Sequence, residues 1–328
     1  MKKALSTILA ALLCLSLCAC SAGDSKAYAP ENYILETEYK DDFKIVQLND
    51  IHLGNKDNRA LHYDFLRLTI NDADADMIVC VGDLFTFADK TVARELFAFL
   101  DSFGIPWTIT FGNHDEQCYF SVDWVTDYLN NYGSNCIFRD IQDDDVYGNA
   151  NFAINLTDGS DVVAQVIVMD SNRYNYGEYW GYDYIKDNQI EWYENLLNYT
   201  TQSCGKTVPS VMFFHIPLPE YNDAWDAAEA GQAELLYGEK NEKVCCPEVN
   251  TGLFDKIVEL GSSKAVCCAH DHMNNFRVLY KGVALCYGIN STDRVYYDDN
   301  IIGAMTITVK RDGTFEFGQV YHSYAELD

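Results

Sequence analysis

Positive charge is what this chain has least of. Its 328 residues carry 23 Lys and Arg against 50 Asp and Glu, a formal net charge of −27 at pH 7. Such a surface repels nucleic acid and anionic headgroups at long range, which argues against an enzyme that tracks a polymer. Acidity also confers solubility, whatever else it does. A disulfide framework is missing too. Of 12 cysteines, Cys14, Cys18 and Cys20 fall in an N-terminal leader, and an odd set of nine is left. None of these has zinc-finger spacing. Cys80, Cys267, Cys268 and Cys286 lie in apolar runs, where thiols act as small hydrophobic residues. There are no internal repeats and no low-complexity tract. With 48% hydrophobic residues, the chain has enough apolar mass for one large domain.

Histidine is used in a narrow set of places. The buried-strand pattern Pro106–Thr110 ends in Phe111-Gly112-Asn113-His114-Asp115, a tight turn carrying three polar side chains. Four more apolar runs end alike. Lys44–Leu48 leads to Asn49-Asp50-Ile51-His52, and Met77–Val81 to Gly82-Asp83. Val211–Phe214 leads to His215, and Lys264–Cys268 to Ala269-His270-Asp271-His272. Five of the seven histidines stand in these clusters. Asn, His and Asp make a poor core and a good mixed N/O ligand set, so the five strand ends predict one shared metal site.

Strands and helices alternate through the first half. Helical spacing is predicted over 60–70, 91–103 and 122–131, between strands covered on both faces. Residues 150–156 and 161–169 read as a hairpin across Thr157-Asp158-Gly159-Ser160. Helix 186–200 and strand 210–215 follow. The acidic stretch 217–250 is too long for an ordinary connection and is expected to hold a short helix around 226–236. Runs at 278–280, 283–287, 305–309 and 314–317 read as one antiparallel meander.

The ordered series Asp-x-His, Gly-Asp, Gly-Asn-His-Asp, a lone His and His-x-His, from Asp50 to His272, resembles the calcineurin-like metallophosphoesterase superfamily. Phe213–Glu220 and Asn250–Phe254 are similar to a narrower branch, related to the purple acid phosphatases but often lacking their chromophore. Together with the split between a βαβ-rich half and a strand-rich half, the resemblance implies an α/β fold of mixed α+β character. That fold is a four-layer α-β-β-α sandwich of two mixed sheets flanked by helices. It also implies two divalent metal ions (Fe, Mn or Zn), with Asp83 bridging them. Asp50, His52 and His272 would complete one ion, and Asn113, His215 and His270 the other. A phosphate ester would be the substrate, the same metal core serving monoesters and diesters. A phosphomonoesterase is expected, with a phosphodiesterase or a non-catalytic metal-binding surface lipoprotein as the alternatives; the acidic segment 220–248 favours small phosphate esters. In the family, the histidine matching His114 protonates the leaving oxygen or stabilises the transition state, and Asp115 would orient it or else serve as a simple turn residue. The purple enzymes carry Tyr three residues after the Gly-Asp aspartate. Thr86 stands there in this chain, and His52 stands where they usually have Gly, so a His ligand replaces the Tyr. Ala269 replaces the usual Gly before His-x-His, at little cost if its φ is negative.

The ends and loops complete the expectations. Lys2 and Lys3 precede the apolar run Ala4–Cys18, and Leu17-Cys18-Ala19-Cys20 resembles a bacterial lipobox. Residues 1–20 are therefore expected to be a lipoprotein signal peptide with Cys20 lipidated, 21–36 a tether, and 37–328 the enzyme. This places the enzyme outside the cytoplasm, with a lipid anchor as its one membrane contact. Two segments are expected to overhang the metals. One is the aromatic loop with Tyr174, Tyr176, Tyr179 and Trp180, suited to stacking on a base or sugar or to packing on itself. The other is the acidic segment 220–248, which disfavours polyanions.

Overall fold

The computed structural model describes residues 29–142, 145–177 and 180–327. The leader with Cys20, residues 21–28 of the expected tether, and Tyr179 lie outside them. In chain order the strands and helices begin with β1 (Ile34–Glu38), β2 (Phe43–Leu48), α1 (Arg59–Ala73), β3 (Met77–Val81), α2 (Lys90–Asp101), β4 (Trp107–Thr110) and α3 (Val122–Asn130). The hairpin β5 (Phe152–Asp158) and β6 (Asp161–Val168) follows, then the short ribbon β7 (Tyr174–Asn175) and β8 (Gly181–Tyr182). Next come α4 (Asp187–Cys204), β9 (Ser210–Phe213), α5 (Glu220–Glu229), β10 (Glu234–Tyr237), α6 (Leu253–Leu260) and β11 (Ser263–Cys268). The chain closes with β12 (Arg277–Tyr280), β13 (Val283–Tyr287), β14 (Gly303–Val309) and β15 (Phe315–Tyr321).

Two mixed sheets result. The larger has the order β1-β5-β6-β9-β11-β13-β12-β10, and the smaller β15-β14-β2-β3-β4. The continuous apolar runs are explained by alternation across the larger sheet. Val211 and Phe213 join the core between the sheets, while Met212 and Phe214 join the core beneath α4, α5 and α6. Cys267 and Cys268 divide the same way. No two described cysteines are bonded, and the four in apolar runs are buried. Helices α1, α2 and α3 pack their apolar sides into the core of the smaller sheet. This is the four-layer sandwich.

Three expectations are corrected. The last strands do not form one meander. β12 pairs with β13 in the larger sheet and β14 with β15 in the smaller. Residues 288–302 cross between the sheets, because β13 lies parallel to the His-x-His strand β11 while β14 pairs with β2. The helix in the acidic stretch starts earlier, at Glu220, and Gly231 (φ +69°) stops it. Leu235 and Leu236, read as helical, lie in the edge strand β10. The described part of the tether belongs to the domain, since β1 pairs in parallel with β5 and Tyr33 is buried against Trp192.

Candidate metal centre

The five motif segments follow the C-terminal ends of five strands. β2, β3 and β4 run parallel in one sheet, and β9 and β11 run parallel in the other. Their polar ends therefore emerge along one edge, where the crossing segment joins the sheets. Asn49 N–H donates to Ser291 Oγ, and Asn49 Nδ2 to the carbonyl of Ile289. Gln47 Nε2 donates to the carbonyl of Cys268, and Thr292 Oγ1 to that of Ile51.

Two buried ligand clusters form there. One is Asp50, His52 and His272; the other is Asp83, His215 and His270. Within the first, His52 Nε2 lies 3.3 Å from His272 Nε2, which is 3.4 Å from Asp50 Oδ1. Within the second, His215 Nε2 is 3.2 Å from Asp83 Oδ2 and 3.3 Å from His270 Nδ1. Two nitrogens bound at ordinary lengths to one tetrahedral ion stand about 3.3 Å apart, so this spacing is that of co-ligands. Asp83 Oδ2 is also 3.6 Å from His52 Nε2, which sets this carboxylate between the clusters.

Orphaned atoms show the same. Asp50 Oδ1 and Asn113 Oδ1 are buried with no hydrogen-bond partner. Leaving such oxygens dry and unpaired is costly, and a cation beside each would resolve it. The Asn113 amide is fixed by Nδ2, which donates to Tyr174 Oη at 2.7 Å. The residues fit two divalent ions.

Backbone strain concentrates here. Asp50, His52, Asp83 and His270 all have φ between +49° and +80°. L-residues seldom adopt this region, and such outliers gather at functional sites. Ala269 keeps a negative φ and the turn falls on His270 instead, so the missing Gly costs little. Two glycines are required. A Cβ at Gly82 would strike the His215 ring, and one at Gly112 the Asp83 carboxylate.

Electrostatics follow from burial and pairing. Burial alone pushes the His215 imidazole down, but the carboxylates of Asp83 and Asp50 outweigh it and lift it to about 10. Burial holds His52 and His270 at about 3. For Asp83, burial pushes upward and is overcome by His215 and His52, leaving it well below the usual carboxylate range. A divalent ion held at His215 Nε2 would compete with a proton for the same nitrogen, so metal binding there would depend on pH.

The surroundings of the ligands were only partly anticipated. Thr86 Oγ1 lies 2.7 Å from His52 Nδ1, so the residue replacing the purple enzymes' Tyr fixes the ring that replaces its phenolate. Tyr296, missed in the sequence, stacks on His272 at 4.2 Å and accepts from its Nδ1 through the backbone carbonyl. Glu242 accepts from Met273 N–H and Tyr296 Oη, and Asp271 from Cys245 N–H. The acidic segment thus runs along the His-x-His loop. Nothing local in the sequence signals these partners, which lie 24 to 54 positions apart.

His114 is set edge-on to His52, with ring centroids 5.1 Å apart. Of the two expectations for Asp115, its hydrogen bonds favour the turn residue over the partner of His114. Its carboxylate turns back to accept from Gly112 N–H and Phe85 N–H, bracing two motif turns. Burial and the Asp83 charge push it up to about 7 against those two hydrogen bonds. The His114 ring is oriented by Gln117, whose Oε1 lies 2.8 Å from Nδ1. Of the aromatic loop, Tyr174 stacks on Tyr182, which packs edge-on against His270 at 4.5 Å. Tyr176 and Trp180 project into solvent.

Comparisons with known proteins accord with this geometry. A plant protein described as "Probable inactive purple acid phosphatase 14", from Arabidopsis thaliana, is 28% identical over 313 residues, covering 84% of this chain and 75% of its own. "Phosphatase DCR2" of Saccharomyces cerevisiae is 27% identical over 277 residues, covering 75% of this chain and 47% of its own. A dimetal phosphatase from Danio rerio shares the fold, with a TM-score of 0.54 at 13% identity over 87% of this chain and 100% of that one. The family profile described as calcineurin-like phosphoesterase matches residues 43–274, which include every strand-end motif. The chain, similar to plant proteins named as purple acid phosphatases, belongs to the calcineurin-like phosphoesterase family.

Proposed function

We propose that this metal-dependent phosphoesterase is a phosphomonoesterase for small esters. The observation that carries this reading is the pair of clusters meeting at Asp83, with His114 on one side and the acidic segment through Glu242 on the other. Two divalent ions, Fe, Mn or Zn, would supply Lewis acidity for an in-line displacement at phosphorus. Asp83 would hold both, Asp50, His52 and His272 one, and Asn113, His215 and His270 the other. Gln117 occupies His114 Nδ1, so Nε2 is the nitrogen left to deliver a proton to the leaving oxygen. Glu242 and its neighbours repel a long polyanion and tolerate a small ester.

The names of the plant relatives favour a second reading, a binding protein without turnover. Against it stands the complete ligand set with His114 in this chain. A substrate panel with added Mn2+ and metal analysis decides between them. The expected result is turnover of simple phosphomonoesters well above that of a bis-aryl diester and of single-stranded DNA. Equal or faster turnover of the diester or DNA overturns the monoester reading. Two bound metals without turnover of any ester establishes the binding protein.

The leader motif supports placing the enzyme outside the membrane on lipidated Cys20. Among the described residues no helix is long and apolar enough to cross a membrane. Cys20→Ser is expected to move the protein from the membrane to the soluble fraction. Retention in the membrane would refute the anchor.

A further inference from the structure

A pocket of about 380 Å³ opens directly beside His52, whose ring stands edge-on to His114 with centroids 5.1 Å apart. Thr86 and His52 line its inner end, and Phe87, Tyr119 and Val295 line its outer part. Those last three are large apolar side chains held in water, 58%, 71% and 59% exposed. Single exposed hydrophobic residues are ordinary, but three lining one pocket beside a metal ligand are not. Two of them sit in costly backbone conformations. Phe87 has φ +50° and Val295 φ +66°, a region that aromatic and β-branched residues avoid. A chain that accepts such strain to present apolar surface at its active centre has a ligand for that surface.

Charge narrows the ligand. Asp57 is neutralised within the pocket wall, accepting from Gly54 N–H at 2.6 Å and pairing with Arg294 at 2.7 Å. Lys56 lines the same pocket, is exposed, and makes no ion pair among the described residues. In a chain of net charge −27, this pocket is thus apolar with a cationic rim. The Tyr119 loop is pinned to the Phe87 loop by Tyr119 N–H donating to the carbonyl of Ala88, which keeps the two side chains at the same pocket. The aromatic ribbon across the centre is occupied differently, since Tyr174 and Tyr182 are engaged with Asn113 and His270.

We propose that this pocket is the leaving-group subsite, and that it selects phosphomonoesters whose alcohol carries a planar aromatic ring, either an aryl group or a nucleobase. The proposal rests on the phosphomonoesterase reading, because a leaving oxygen protonated by His114 carries the leaving group toward the neighbouring His52 ring that lines this pocket. The ring lies against Phe87 and Tyr119, and Lys56 faces its polar edge or substituents.

The test uses two readouts. The first is kcat/KM for phenyl phosphate, a nucleoside monophosphate and propyl phosphate, in the parent and in Phe87→Ala/Tyr119→Ala at equal metal content. The ratio of aromatic to propyl ester is expected to fall by about 5- to 100-fold, the range of losing a ring-stacking contact. Whichever aromatic ester loses more identifies the source of the ring. The second is binding of phenylphosphonate against methylphosphonate, which needs no turnover. The parent is expected to favour phenylphosphonate, and the double variant to lose that preference. Phe87→Gly, which suits a φ of +50°, gives a second variant free of folding strain. Equal losses on aromatic and propyl esters, or an unchanged phosphonate preference, overturn the subsite. A parent that binds phenylphosphonate preferentially but turns over no ester would leave the subsite standing and refute the phosphomonoesterase reading.

Discussion

Asp83→Ala is expected to empty the centre. Bound metal should fall from about two ions per chain to well below one, and turnover by at least about 10³-fold. No other ligand is placed like this one. Its Oδ2 lies between His215 Nε2 and His52 Nε2, at 3.2 and 3.6 Å, so its loss removes a ligand from both clusters. Its Oδ1 accepts from His114 N–H at 2.7 Å, so the same change also loosens the turn that carries His114. Held ionised by His215 and His52, it supplies the charge that a divalent pair must meet. Asp50→Ala removes an oxygen from one cluster only and should lose less metal. Metal analysis after gel filtration measures the difference. Thermal unfolding gives a second readout, since ligands that bind only the folded chain raise its midpoint. Added Mn2+ should raise the parent's Tm and leave that of Asp83→Ala nearly unmoved. If Asp83→Ala keeps both ions and full activity, Asp83 does not bridge.

The strand ends were legible because both of their causes are local. A strand buried on both faces must be apolar throughout, and its end shows as a sudden change to Gly, Asn, Asp and His. His215, which the structure brings into one cluster with Asp83 and His270, is marked by this signal in the sequence. What escaped depends on contacts made across the chain. Thr86 was noticed only as the wrong residue for a phenolate ligand, yet it holds His52 from 34 positions away. Tyr296 and Glu242 belong to loops with no pattern of their own. The parting of β13 from β14 was hidden because a hairpin reads alike in either sheet. Adjacency in sequence cannot decide between the two readings of Asp115, because its partners are the N–H groups of Gly112 and Phe85, and Phe85 lies 30 positions away. The left-handed backbone at Asp50, His52, Asp83 and His270 has no signature in residue type, since strain at a site is imposed by the rest of the fold.

His114→Ala should behave unlike any ligand change. Both metals are expected to stay while turnover falls by roughly 10²–10⁴-fold, the usual range for a lost general acid. His114 lies outside both ligand clusters, and its ring is tied to Gln117 at Nδ1. Removing the ring leaves the backbone N–H that donates to Asp83 in place, so the bridging carboxylate keeps its support. The loss should depend on the leaving group. An alkyl phosphate expels a strongly basic alkoxide and needs the proton, so it should suffer the full reduction. A nitrophenyl phosphate expels a stabilised anion and should lose far less. If His114 acts only by electrostatic stabilisation of the transition state, both esters should lose alike. Gln117→Ala tests the orienting contact separately. It leaves the imidazole but frees Nδ1, and is expected to reduce alkyl ester turnover by about 10-fold with metal content unchanged. Loss of metal in His114→Ala would show that the ring is a ligand and refute its role as proton donor.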